Sequence, residues 1–137
     1  MKGEKIEIMT DGELDFINIS DKIEEIISKL NVKNGMCIIF LKSTTSAIII
    51  NEDDDNLIED FRELLRRLVP ENIVYRHDTT WGDGNGRSHL RSMMLRNQAC
   101  IPVINGKLAL GTWQSIFLVE LDVRPRKREI IVAVMEE

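Results

Sequence analysis

Apolar residues recur at helical spacing in three segments of the chain. Each segment places leucine, isoleucine, phenylalanine or methionine every three or four residues, which puts these side chains on one buried face. The segments are 21–31, which follows Ser20 as its predicted cap, 56–68, which ends before Pro70, and 87–95. The pattern predicts three amphipathic helices.

Other apolar segments are too short to be helices and are rich in β-branched or aromatic residues. The continuous runs 36–41 and 47–50 predict central strands, and further strands are predicted at 72–76, 112–121 and 129–135. Asp11-Gly12 and Asn105-Gly106 predict two-residue hairpins, because each pair stands between two strand-like runs. The paired runs are 5–10 with 13–19, and 99–104 with 107–110.

About eight strands and three helices in this mixed order predict an α+β fold. Tight turns between successive strands favour a largely antiparallel β-sheet with the helices packed on one face. The 137 residues are expected to form a single domain spanning 1–137.

Charge and hydropathy narrow the function classes. A net charge of −5 argues against a general nucleic-acid binder, which needs an excess of basic residues. The sequence has no apolar stretch long enough to predict a membrane span. Its N-terminal segment also lacks the apolar h-region of a secretory signal. A cytoplasmic location is therefore expected. Cys37 and Cys100 lie in apolar runs and are expected to be buried thiols rather than a disulfide.

The most irregular segment is 77–86, HDTTWGDGNG, and the only two histidines of the chain, His77 and His89, bracket it. Two imidazoles and a carboxylate, here Asp83, are a donor set for a divalent metal and for acid–base catalysis. The spacing matches no standard zinc motif. The alternative is a pair of histidines that are merely hydrogen-bonded or at the surface.

The same segment runs into the predicted helix at Arg87 through three closely spaced glycines. Open backbone N–H groups at a helix N-terminus favour an anion. Gly84, Asn85, Gly86, Arg87 and Arg91 are therefore candidates for binding a phosphate group. The alternative is that the glycines serve the turn alone.

Two further segments are candidates for the walls of such a site. Residues 43–46 are four consecutive hydroxyl residues, of which Thr45 and Ser46 are predicted to contact a substrate. Trp113 and Gln114 begin a predicted strand and carry polar groups that need partners. A tryptophan at this position is more often part of a core.

Four segments in this order and spacing resemble the YjbQ family, a widespread family of small proteins also described as secondary thiamine-phosphate synthases. The segments are FLKSTTSAIIINE, YRHDTTWGDGNGRSHLRSMML, PVINGKLALGTWQ and EIIVAV. The resemblance covers nearly the whole chain and is strongest to the archaeal branch. It implies an α+β fold, a homotrimer, and a pocket between the histidine loop and the GTWQ segment.

The resemblance also implies chemistry. It implies a divalent metal, Zn²⁺ or Mg²⁺, held by His77, His89 and Asp83, which would also be the catalytic residues, and a small phosphorylated molecule as the ligand. The reaction would join a pyrimidine pyrophosphate to a thiazole phosphate. Many bacterial members have a histidine at the place of Ser43, so this chain lacks that group. The alternative function is a non-catalytic trimer that binds a metal or a small anion.

Overall fold

The computed structural model describes residues 2–137, and most of its strands form one five-stranded antiparallel sheet. The order is β1 (Lys2–Met9), β8 (Lys127–Glu136), β3 (Gly35–Leu41), β5 (Gln98–Ile104) and β6 (Lys107–Leu108). Strand β8 lies between β1 and β3, pairing along its length with both. Cys37 stands beside Val134 on one side and Ile101 on the other, and all three are buried.

A second antiparallel sheet has three strands, in the order β2 (Asp15–Asn18), β7 (Ser115–Glu120) and β4 (Ser46–Asn51). Its central strand β7 is buried on both faces. Because successive side chains of a strand point to opposite faces, Ile116 and Leu118 join one core cluster while Phe117 and Val119 join another.

Four helices complete the fold: α1 (Ser20–Leu30), α2 (Asp55–Leu68), the single turn α3 (Asp78–Trp81) and α4 (Gly86–Leu95). Helix α1 contributes its isoleucine stripe to the core cluster shared with the five-stranded sheet. Helix α2 places Ile58, Phe61 and Leu65 against the other face of the three-stranded sheet. No helix within 2–137 combines the length and apolar character needed to cross a membrane.

The α+β class, the antiparallel pairing, the three long helices and the hairpin at Asn105-Gly106 are confirmed. The strands are nevertheless divided between two sheets, and β4 is an edge strand rather than a central one.

The predicted hairpin at Asp11-Gly12 is wrong, because β1 pairs with β8 and β2 pairs with β7. The turn carries the chain from one sheet to the other. Leu14 adopts a positive φ of 64° and is buried in the core cluster under α2, and its N–H donates to the carbonyl of Glu120 at 2.7 Å. Leu14 therefore belongs to the core under α2, and the strand that follows it lies in the three-stranded sheet.

The predicted strand at 72–76 is also wrong. Val74 is 81% exposed, and the N–H of Tyr75 donates to Asp78 Oδ2 at 2.9 Å instead of to a neighbouring strand. The aspartate side chain therefore replaces a sheet partner.

Two smaller expectations are corrected. Ser20 does not cap α1, because its Oγ accepts a hydrogen bond from Ile116 N at 2.8 Å and so joins the helix to β7. Cys37 is buried as expected, but Cys100 is exposed, because its strand β5 presents alternate residues to solvent.

Candidate functional site

A polar cavity of about 660 Å³ lies where the histidine loop meets the turn between β3 and β4. Its walls come from segments that are far apart in the chain: the end of β3 and its following turn, the loop before α4, and the start of β8. The lining residues are Phe40, Leu41, Lys42, Ser43, Thr44, Thr45, Asp83, Asn85, His89, Asn97, Arg126 and Arg128.

The hydroxyl-rich turn forms one wall of this cavity and is held by its own side chains. Ser43 Oγ accepts hydrogen bonds from Thr45 N at 3.1 Å and from Ser46 Oγ at 2.6 Å. Thr45 lines the cavity, whereas Ser46 is fully buried behind it. Ser43 therefore orders the turn.

Arg128 is the most buried cation of the cavity, with only 8% of the residue exposed. Its Nε donates to Glu120 Oε1 at 2.9 Å, and its Nη2 donates to Glu120 Oε2 and, at 2.7 Å, to Thr45 Oγ1. Its Nη1 has no hydrogen-bond partner among residues 2–137. The guanidinium is thus fixed in place with one nitrogen available to a ligand.

Arg126 stands beside it and is more exposed. It pairs with the buried carboxylate of Asp122, with Nη2 and Oδ2 2.7 Å apart. Burial alone would raise the pKa of Asp122, but the hydrogen bond from Arg126 and the other donors around it outweigh burial and lower the pKa. Asp122 stays ionised and holds Arg126 at the cavity.

His77 and His89 are brought together, with ring centroids 4.4 Å apart and the rings tilted by 48°. Of the two, only His89 lines the cavity. His77 Nδ1 is buried and has no hydrogen-bond partner among residues 2–137. The two sequence candidates therefore form one pair that presents a single imidazole to a ligand.

Asp78 closes the loop that carries this pair. Its carboxylate accepts hydrogen bonds from the N–H groups of Tyr75 at 2.9 Å and Gly86 at 2.8 Å. These two backbone donors lower the pKa of Asp78 below its usual range. Gly86 packs so tightly that a Cβ there would lie 2.7 Å from Tyr75 Cβ, so the start of α4 has room only for glycine.

Two polar side chains on the cavity wall have buried oxygens without partners. These atoms are Asp83 Oδ1 and Asn85 Oδ1, and Asn85 is only 3% exposed. Burying an acceptor without a donor lowers the stability of the fold. Such atoms are therefore places where a ligand or another partner group is expected to donate a hydrogen bond. Gly84, between them, is exposed and has a φ of +64°.

The structure pairs the arginines predicted for phosphate binding with a carboxylate instead. Arg87 Nε donates to Glu13 Oε2 at 2.7 Å, and Arg91 Nη1 donates to the same oxygen at 2.9 Å. Arg91 is fully buried, and neither arginine lines the cavity. Glu13 therefore occupies the place that the prediction gave to an anion.

Trp113 and Gln114 lie outside the cavity of this chain. Trp113 is 73% exposed, and Gln114 Oε1 accepts a hydrogen bond from Gly111 N at 2.7 Å. Both residues precede β7 rather than begin it.

A metal held by His77, His89 and Asp83 stays a prediction. Within residues 2–137, no three His, Cys, Asp or Glu side chains are grouped so that they could hold a metal ion. Two imidazoles are fewer ligands than a protein zinc site normally has. The residues of one chain thus do not form a complete ligand set for a resident metal.

Arg126 and Arg128 line the cavity although they were not among the sequence candidates. They come from the RPRKR segment at 124–128, and this basic run was the available signal. Lys42 and Asn97 are further lining residues that no sequence motif marked.

A second cavity of about 290 Å³ lies between α2 and the three-stranded sheet. Phenylalanine and isoleucine side chains dominate its walls, including Phe16, Phe61 and Phe117. Glu52 is the one ionisable residue among those that line it, so this cavity offers no pair of groups for acid–base chemistry. We therefore take the polar cavity as the candidate site.

The fold and the polar cavity together define a small α+β protein with arginine, histidine and hydroxyl groups around one cavity. The family model described as UPF0047 protein YjbQ-like matches residues 4–137 of the sequence. The chain therefore belongs to this family. The resemblance found in the sequence is thereby confirmed.

Relatives and solved structures are similar to this chain along nearly its full length. A UPF0047 protein of Methanothermobacter thermautotrophicus is 37% identical over 131 residues, which cover 96% of this chain and 90% of the relative. A YbjQ-like protein of unknown function from Sulfolobus solfataricus superposes with a TM-score of 0.93 at 34% identity, covering 99% of this chain and 97% of that one. A hypothetical protein from Aeropyrum pernix gives a TM-score of 0.93 at 31% identity, with both chains fully covered.

Proposed function

We propose that the polar cavity binds a small phosphorylated molecule, with the phosphate against Arg126, Arg128 and the hydroxyl-rich turn. The observation that carries this proposal is the fixed guanidinium of Arg128, whose Nη1 has no partner in the described part of the chain. Arginine matches phosphate oxygens because its planar N–H groups point in set directions. Thr45 and Ser43 place hydroxyl groups at the same wall.

The reaction we propose is the one implied by the resemblance described in the sequence analysis, displacement of pyrophosphate from a pyrimidine by a thiazole phosphate. The thiazole nitrogen forms a bond to the pyrimidine methylene carbon, and the carbon–oxygen bond to pyrophosphate breaks with its electron pair leaving on oxygen. Arg126 and Arg128 would stabilise the negative charge that develops on that oxygen. His89, the imidazole on the cavity wall, would hold a proton for the departing group.

Binding is tested by titrating pyrophosphate into the wild type and Arg126→Ala. Losing a charged hydrogen bond should weaken binding by roughly ten- to hundredfold. Lys127→Ala is the matched control, because Lys127 is a neighbouring cation that pairs with Glu7 and does not line the cavity. Circular dichroism shows whether each variant is folded. Equal affinity of the folded wild type and Arg126→Ala would refute the phosphate site.

Binding without turnover is the second candidate function. It is favoured by the ion pairs that hold Arg126 and Arg128 in place, because a preset cavity suits recognition as well as catalysis. A steady rate with both substrates that disappears in His89→Ala supports the enzyme. Binding with no rate in the wild type supports the binding protein.

We also propose that the chain forms a homotrimer. Several large apolar side chains lie exposed near the histidine loop and α4, a pattern typical of protein interfaces. They include Val74, Trp81 and Met93, each more than 70% exposed. Light scattering at micromolar concentration should give three times the chain mass of 15.8 kDa, and a monomer mass would contradict the proposal.

A further inference from the structure

We propose that the molecule bound in the polar cavity carries an amino group as well as a phosphate, and that Asp83 and Asn85 bind this amino group. The inference rests on the proposed phosphate site, and not on the proposed pyrimidine–thiazole reaction, and it adds the chemical class of the rest of the ligand. It assigns to Asp83 the recognition of a cationic donor.

The first argument is the pairing of charges around the cavity. Each cation that lines it already pairs with a carboxylate: Lys42 with Glu129, Arg126 with Asp122, and Arg128 with Glu120. The carboxylate of Asp83 lines the same cavity, yet it forms no ion pair within residues 2–137.

The cations nearest to Asp83 along the chain do not change this. Arg87 and Arg91, on the following helix, are both bound to Glu13. The cavity therefore has a carboxylate without a cation among the described side chains. A ligand ammonium group would supply the missing charge.

The second argument is hydrogen bonding. Asp83 Oδ1 and Asn85 Oδ1 are both buried acceptors without a donor, and Asn85 is almost fully buried. A phosphate offers only further acceptors at neutral pH and would leave these two atoms unsatisfied. An ammonium group has three N–H donors and can satisfy both oxygens at once.

The third argument is the placement of these groups. Asp83 and Asn85 come from the loop before α4, whereas Arg126 and Arg128 come from β8 and the residues just before it. The acceptor wall and the guanidinium wall thus belong to different parts of the fold and meet at a cavity of about 660 Å³. This volume lies within the usual range for small-molecule sites. A phosphate ester with an amine at a distance from the phosphate complements both walls.

The test is calorimetric titration with two matched series of probes, alkyl phosphates and ω-aminoalkyl phosphates with chains of two to five carbons. In the wild type, at least one aminoalkyl phosphate should bind roughly ten- to hundredfold more tightly than the alkyl phosphate of the same length. In Asp83→Asn this gain should disappear. Asp60→Asn, an exposed aspartate on α2, is the control and should keep the gain.

The possible outcomes separate the two proposals. Alkyl phosphates that bind equally to the wild type and Arg126→Ala refute the phosphate site itself. Alkyl phosphates that bind, with no gain from the amine at any length, refute the amine site and leave the phosphate site standing.

Titrations with EDTA and with added Mg²⁺ test the competing role of Asp83 as a metal ligand. The amine gain is expected to be the same in both conditions. If Asp83→Asn changes phosphate affinity only when Mg²⁺ is present, Asp83 holds a metal and the amine assignment is wrong.

Discussion

Replacing Glu13 should show most clearly how much more a buried ion pair contributes to the stability of this protein than an exposed one. Its carboxylate binds Arg87 and Arg91 together, and the Arg91 side chain is fully buried. Glu13→Gln keeps the shape of the side chain but removes its charge, so the guanidinium of Arg91 loses its anionic partner. Its other acceptors are then neutral: the carbonyl of Val69, 2.8 Å from Arg91 Nη2, and the amide oxygen of the new glutamine.

Removing one member of a buried ion pair typically costs 3–5 kcal/mol, because the other charge remains buried without compensation. Glu13 keeps 19% of its side chain exposed, so we expect the lower end, about 3 kcal/mol in the free energy of unfolding. For a chain of this size that corresponds to a fall of roughly 10 °C in the melting temperature. Thermal unfolding followed by circular dichroism measures it.

Glu59→Gln is the matched control. Glu59 also lies between two arginines, Arg62 at 3.0 Å and Arg66 at 3.9 Å, but on the exposed surface of α2 with 54% of its side chain accessible. Such a surface pair contributes about 0–1 kcal/mol. If Glu13→Gln and Glu59→Gln melt together, burial of Arg91 does not amplify the loss of charge and our reasoning is refuted.

The pH dependence of this stabilisation follows from the pKa of Glu13. Burial alone would raise that pKa, but the hydrogen bonds and charges of Arg87 and Arg91 lower it below the ordinary 4.5. A carboxyl whose pKa is lowered by folding stabilises the fold above its unfolded pKa, and the contribution is lost as pH falls through the folded pKa. The difference between the wild type and Glu13→Gln should therefore be full at neutral pH and shrink below about pH 4.5.

Two further predictions concern the start of α4 and the thiols. Gly86→Ala should lower the free energy of unfolding by about 1–3 kcal/mol, because the new Cβ would lie 2.7 Å from Tyr75 Cβ and 2.9 Å from Asp78 Oδ1; denaturant titration checks this, and unchanged stability would contradict the close packing. Burial raises the pKa of Cys37 to about 11, so iodoacetamide at pH 8 should modify the exposed Cys100 and leave Cys37 intact until the protein is unfolded. Mass spectrometry counts the adducts, and a double adduct on the folded protein would show that Cys37 is accessible.

The sequence pattern predicted those elements of the fold whose hydrogen bonds and contacts are formed between residues close together in the chain. The helices followed from apolar spacing, and the hairpin at Asn105-Gly106 followed from its turn residues. The same kind of signal failed at Asp11-Gly12, because the partners of both flanking strands lie about one hundred residues away or more. Which strand pairs with which is a property of the whole chain, and a two-residue turn does not determine it.

The candidate site likewise contains some residues that the sequence marked and others whose role depends on distant parts of the chain. His77 and His89 stood out because the chain has no other histidine, and the structure brings their rings together. Arg126 and Arg128 did not stand out, because their role depends on Glu120 and Asp122 beneath them. Arg87 and Arg91 looked available for a ligand in the sequence because nothing there indicated that Glu13 would reach them.

The place of β8 in the five-stranded sheet has a consequence for the order in which the protein can assemble. Of the eight strands described within residues 2–137, β8 is synthesised after the other seven, yet it lies between β1 and β3 and is the one described strand that pairs with β1. Until residues 127–136 have been synthesised, β1 and one side of β3 have open backbone groups, which are sites for mispairing. The order of strands within this sheet therefore requires that β1 and β3 are joined only after β8 has been translated.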